Sequence, residues 1–204
     1  MKKLLVLLFS LFFLSSPSVF ADDISEFEIE GISIGDSLLD YMTEEEILEE
    51  IELTKNIYLY KDEPNKYSEV YKFNNLQKYD ALSLFVLNNP ISEYLTNKNN
   101  KYTIQAIRGM MAYIEDFNGC MQERDEIAGV LSKMFPNADK KESRYISPND
   151  PSGKSMKDGI TFKLDSGDSI VIHCSDYEET FRIKKNWQEG LNISIRSNEI
   201  NSWF

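Results

Sequence analysis

The sequence predicts an α+β protein: a mostly antiparallel sheet of about eight strands packed by two amphipathic helical segments. Three observations predict it. Segments rich in tyrosine and β-branched residues, alternating with period two, recur along residues 22–204 and are joined by short turn signals, which favours antiparallel neighbours. Residues 36–52 and 117–136 instead carry apolar residues at helical spacing. The order of helix then strands occurs twice, so the chain divides into two halves of one helix and about four strands, without sequence identity between them.

Residues 1–21 read as a signal peptide. Lys2 and Lys3 form a basic start, residues 4–14 are apolar except for Ser10, and Val19-Phe20-Ala21 ends a small-residue cleavage region. Such a run is shorter than the ~20 residues of a membrane span, and no later segment is longer, so the expected mature chain is one domain, residues 22–204, without a transmembrane segment. Loss of two lysines makes it still more acidic than the whole chain at −12. Phosphate backbones need Lys and Arg to displace counterions, and no basic patch with interleaved aromatics occurs, so no nucleic-acid partner is expected. Two cysteines, Cys120 and Cys174, predict a disulfide in an oxidising, periplasmic or secreted location.

The elements follow in order. "EFEIEGISIG" alternates as a strand whose phase switches at Glu30-Gly31, which predicts a bulge or bend. Residues 36–52 read as two short helical segments or one kinked helix, with Asp36 or Ser37 suited to the N-cap. Thr43 and Glu46 fit a capping box, with Met42 and Ile47 at staple positions, before an apolar face of Ile47, Leu48 and Ile51. "KNIYLYKD", "YSEVYKFN" and "YDALSLFVLN" read as strands, the last apolar on both faces and therefore central. After the polar "LTNKNNK", another strand is expected from Tyr102 to about Ile114. "FNGCMQERDEIAGVLSKMFP" is the strongest helix: Cys120, Ile127, Leu131 and Met134 share a stripe, acidic residues occupy the early turns, and Pro136 stops it. Residues 147–159 read as a polar loop. "ITFKLDSGDSIVIHC" is a hairpin turning at Gly167, with Ile170, Ile172 and Cys174 inward; "GLNISIRS" is a last strand, and "SNEINSWF" a short helical or frayed end. A cysteine on the helix stripe and another inward on a strand are placed to meet where helix packs on sheet.

Gly35-Asp36-Ser37-Leu38 resembles the start of secreted GDSL-type esterases. That resemblance implies Ser37 as nucleophile, with a histidine from an Asp-x-x-His motif and oxyanion donors from a glycine and from a Gly-x-Asn-Asp block. The single histidine, His173, follows Ile170 at that spacing, and Asn149-Asp150 lacks the glycine, so Ser37 and His173 stand only as a fallback pair and Ser37 is expected to cap a helix. "SGKS", residues 152–155, lacks the first glycine of a phosphate loop, where Pro148 stands. The carboxylates of "TEEEILEEIE" have no calcium-loop spacing and read as a solvated face, so no metal and no cofactor are expected.

Taken together, "FEIEGISIGDSLLDY", "CMQERDEIAGVLSKMFPNA", the "DPSGKS" loop and "GDSIVIHCSDY" resemble a group of uncharacterised exported proteins of marine bacteria over nearly the whole mature chain. "ISIGDSLLDYMTEEEI" is similar to small outer-membrane assembly lipoproteins and to the β-lactamase inhibitor protein. This second resemblance implies a short helical hairpin, an antiparallel sheet and action by protein contact; the lipobox cysteine of the lipoproteins is missing here. The functional expectation is a non-enzymatic periplasmic module that binds another protein or a small ligand on a sheet face or edge. Tyr58, Tyr60, Tyr67 and Tyr71 are its candidate contact surface, since tyrosine is broad and loses few rotamers. A secreted esterase using Ser37 is the alternative.

Overall fold

The computed structural model describes residues 24–88 and 101–204; the leader assigned to residues 1–21 and most of "LTNKNNK" lie outside them. Seven strands form one antiparallel sheet in the order β1-β2-β3-β7-β6-β5-β4. They are β1 (Tyr67–Lys72), β2 (Ala81–Leu87), β3 (Ile104–Ala112), β4 (Asp139–Ile146), β5 (Met156–Lys163), β6 (Ser169–Asp176) and β7 (Gly190–Arg196). The first three make a meander that ends mid-sheet. The other four make a second, which starts at the far edge and returns to the middle, where β3 pairs with β7. Helix α1 (Glu44–Thr54) packs on β1, and α2 (Phe117–Met134) packs on β6 and β7. Short helices α3 (Glu179–Lys185) and α4 (Asn198–Asn201) complete the set. Eighteen residues of α2 span about 27 Å, enough to carry the chain from the central β3 towards the edge strand β4.

Both long helices lie on one side, here the helix face. Val70, Leu84, Ile107, Ile193, Ile172 and Ile160 point to it from successive strands, as the alternation requires, and are buried there. Thr43 and Glu46 form the expected capping box at α1. Asp116 caps α2 by accepting from Gly119 N (2.9 Å); the first turn itself carries no acid, so the capping side chain replaces the expected early charges. Cys120 on α2 and Cys174 on β6 form a disulfide, their Cα atoms 5.9 Å apart and both side chains fully buried. Beside it, Arg124 of α2, 8 % exposed, reaches Asp158 on β5 and Asp125, fixing the helix to the sheet a second time.

Two expected strands need correction, and one strand was not expected. "EFEIEGISIG" is not a strand. Glu30 (φ 55°) and Gly31 (φ 74°) form a two-residue turn of the I′ kind, and Ile29 and Ile32 close it through reciprocal backbone bonds of 3.1 and 3.0 Å. The phase switch is this turn, and it buries both isoleucines without joining the sheet. "KNIYLYKD" is a series of turns, with Ile57 N donating to Thr54 O and Lys61 N to Tyr58 O, because its tyrosines are recruited by aromatic packing rather than by a neighbouring strand. Conversely, "DKKESRYI" is β4, although every one of its residues is exposed: backbone pairing to β5 alone makes it a strand, and burial leaves no alternation to read. Two strands lost and one gained make seven rather than about eight. The two halves have three and four strands. The loop expected over residues 147–159 ends earlier, at β5, and α3 falls in a stretch without a helical signal.

Candidate functional site

The other side of the sheet, the open face, is built by the alternate residues. Pairing register places Tyr71, Ser83, Arg108, Ser194, Val171 and Thr161 in one row from β1 to β5. The adjoining row on one side is Glu69, Phe85, Ala106, Arg196, Ser169 and Lys163. On the other side Met110, Asn192, His173 and Gly159 align. Over β1–β3 this face is roofed by aromatic rings. The C-terminal residues Trp203 and Phe204, and Tyr58 from the turns after α1, stack over Phe85 and Tyr67 at centroid distances of 4.9 to 6.5 Å. Lys61 Nζ donates to the backbone oxygens of Trp203 and Phe204 (2.7 and 2.6 Å), and Trp203 Nε1 donates to Glu63 O (2.8 Å), which ties the two segments together.

This roof accounts for much of the tyrosine set. Tyr67 is 2 % exposed and Tyr58 half-buried, so both serve the interior rather than a contact surface. Tyr71 stacks on Phe73 at 5.9 Å, and only Tyr60, 75 % exposed, presents its ring to solvent. The reason is the C-terminal Trp-Phe pair, which needs an aromatic bed and takes it from β1 and β2.

Over β5–β7 neither long helix covers the open face among the described residues, and its character changes. Arg196 lies against the ring of Phe204 (4.6 Å to the centroid) and donates through Nε to Ser194 Oγ (3.1 Å). No described carboxylate lies within ion-pair distance of it, and burial, then the Arg108 cation, lowers its pKa to about 10. Arg108, its diagonal neighbour, lies over Phe85 (5.5 Å) and approaches Glu69 at 3.7 Å. Glu69 is already bound: Tyr58 donates to one oxygen (2.8 Å) and Ser83 to the other. The one carboxylate beside the two guanidinium groups therefore reaches Arg108 alone and already has other donors. Burial first, then the cations Lys157, Arg108 and Arg196, pushes His173 down to about 3, so a neutral imidazole and a positive surround occupy this stretch of a strongly acidic chain.

The fallback pair does not converge. Ser37, 3 % exposed, bridges to Thr103 just before β3; it stands at the N-cap position of the short turn Leu38–Asp40 as expected, but its hydroxyl donates to Lys101 O (2.9 Å) and makes no capping bond. His173 registers through Asn192 with Met110, seven residues along β3 from Thr103, which separates serine and histidine by on the order of 20 Å. In the "SGKS" loop, Asp150 accepts from the N–H and hydroxyl groups of Ser152 and Ser155 at 2.6 to 2.9 Å. The chain's own carboxylate occupies the amides a phosphate would use, and a strand follows instead of a helix. Among the described residues no group of three or more His, Cys, Asp or Glu side chains is placed to hold a metal ion, and no helix is long and apolar enough to cross a membrane. A cavity of about 110 Å³ lined by Tyr113, Phe117, Asp176 and Glu189 lies far below the ~300–1,000 Å³ of a typical small-molecule site.

Sequence reasoning missed the arginines because they are 88 residues apart and belong to no basic run. Their signal was positional: Arg108 and Arg196 take outward slots of strands whose inward slots are Ile107 and Ile195. Compared with protein-family models, with curated proteins and with solved structures, the chain finds no match.

Proposed function

We propose that the chain is a non-enzymatic binding module, working in the periplasm or outside the cell, that engages a partner protein with the open face over β5–β7. The single observation that carries this reading is the asymmetry of that face. Its β1–β3 end is sealed by Trp203, Phe204 and Tyr58, whereas its β5–β7 end presents Thr161, Val171, Asn192 and Arg196 beneath no long helix, with Arg108 of β3 at the border between the two. Arginine beside aromatic rings is the composition of strong contact sites. The disulfide supports an oxidising compartment.

Photo-crosslinking in a producing cell tests the reading. A benzophenone amino acid at Thr161 or Val171 is expected to give a discrete crosslinked product, and one at Val130, exposed on α2, is not. Equal products from all three positions, or none from the sheet, would count against the face.

A further inference from the structure

We infer that Arg108 and Arg196 form a fork for carboxylate side chains, so that the partner engages the open face through an acidic loop. The inference rests on the proposed binding face and names the chemistry it selects.

Three features of the pair point the same way. The first is stoichiometry. Glu69 approaches Arg108 at 3.7 Å and no described carboxylate pairs with Arg196, although the chain has 34 acidic residues against 22 basic ones. With acids in such excess, an arginine on a half-buried face without an acid is a local arrangement that composition does not explain. Second, both guanidinium groups are held against rings, Arg196 on Phe204 and Arg108 on Phe85. Stacking immobilises the planar group and leaves its in-plane N–H donors directed sideways, the geometry that meets a carboxylate with two parallel bonds. Arg196 commits only Nε, to Ser194, so its two terminal nitrogens remain for a ligand. The third is the surround. Lys157 and Lys163 lie on the same face, and Thr161 and Asn192, both half-buried, supply short polar neighbours that leave room for an incoming loop.

The negative net charge does not oppose this. The Debye length is about 8 Å at physiological ionic strength, so acids on α1, across the sheet, are screened while a carboxylate in contact with the fork is not. Two arginines and two lysines are few for a polyphosphate backbone, which binds through many cations and released counterions. An acidic protein loop fits the size and charge of the site better.

The test uses the disulfide-bonded protein and two synthetic octapeptides, one of alternating glutamate and glycine and one with glutamine in place of glutamate. The NMR signals of the arginine side-chain Nε–H groups report binding. The glutamate peptide is expected to shift Arg108 and Arg196 together, with an affinity at least about tenfold above the glutamine peptide. Arg196→Gln should reduce that affinity about tenfold. Asn192→Asp keeps both arginines and the side-chain shape but sets a carboxylate diagonal to Arg108, and should reduce it similarly. Equal affinity for both peptides, or arginine signals unmoved at millimolar peptide, overturns the fork. Inorganic phosphate displacing the glutamate peptide at equal concentration overturns it in favour of a general anion site, and sedimentation showing a dimer broken by Arg196→Gln overturns it in favour of a second copy. If Thr161 crosslinks persist while the peptide fails, the face binds and only the carboxylate assignment falls. If both fail, the face falls too.

Discussion

Phe85 on β2 and Thr161 on β5 point to the same side of one sheet. Phe85 is 1 % exposed beneath Trp203 and Phe204, while Thr161 is only half-buried with no long helix above it. The strands beneath them are fastened differently as well. Over β1–β3, α1 packs on one side and the aromatic roof on the other. Over β5–β7, the covalent and buried ionic fastenings sit on the helix face, where the Cys120–Cys174 bridge and the Arg124–Asp158 pair bind α2 to β5 and β6. A sheet region left bare on one side is made rigid from the other, so it can present side chains in fixed positions without being covered.

Breaking the fastening beneath the bare region should have the largest effect. A Cys120→Ser, Cys174→Ser double variant frees a sequence separation of 54 residues and is expected to lose about 4 kcal/mol of stability in urea unfolding. Amide exchange should rise more at Ile172 and Ile193 than at Leu84. Faster exchange at Leu84 would show that the two regions are not separately fastened. Removing the roof comes next. Trp203→Ala should cost about 3 kcal/mol, with exchange rising on β1 and β2 before β6. Tyr67 should become accessible to iodination, and an unchanged Tyr67 would contradict the roof.

The smallest effect is acid sensitivity, and both regions share it. Burial opposes ionisation of Glu30, but N–H bonds from Gln77, Lys78 and Tyr79 outweigh it and hold its pKa below the usual carboxylate range. Hydroxyls and amides of Ser152 and Ser155 do the same for Asp150, which is buried by accessible surface, so its bonded loop dominates. A carboxylate whose folded pKa is depressed stabilises the fold above its unfolded value, about 4, and that stability is lost as pH falls below it. The amide signals of Gln77 and Ser155 should therefore move in acid below about pH 4. Glu30→Gln should remove the response at Gln77 and leave Ser155 titrating.

How much of this was legible depended on whether burial or pairing made an element. Strands β2 and β6, helix α2 and the disulfide were readable because one face of each faces the core, so the apolar period survives in the sequence. Strand β4 was not, since it exists through backbone bonds with all side chains in water. Residues 55–62 misled because Tyr58 and Tyr60 mimic a strand face, while the partner that draws Tyr58 away, Trp203, lies over 140 positions later. The arginine fork was hidden for the same reason. Outward slots are visible in one strand at a time, but only the β3–β7 register sets Arg108 and Arg196 side by side.

The outer rim of β4 has one further consequence. It ends the sheet with a full row of unpaired backbone donors and acceptors, the template on which stray strands add and fibres grow. Asp139, Lys140, Lys141, Glu142 and Arg144 crowd that rim. If two copies met there antiparallel about Glu142, Lys140 of each would oppose Arg144 of the other and Glu142 would oppose its own counterpart, like charge against like. The strand that contributes no side chain to the core thus keeps the sheet finite.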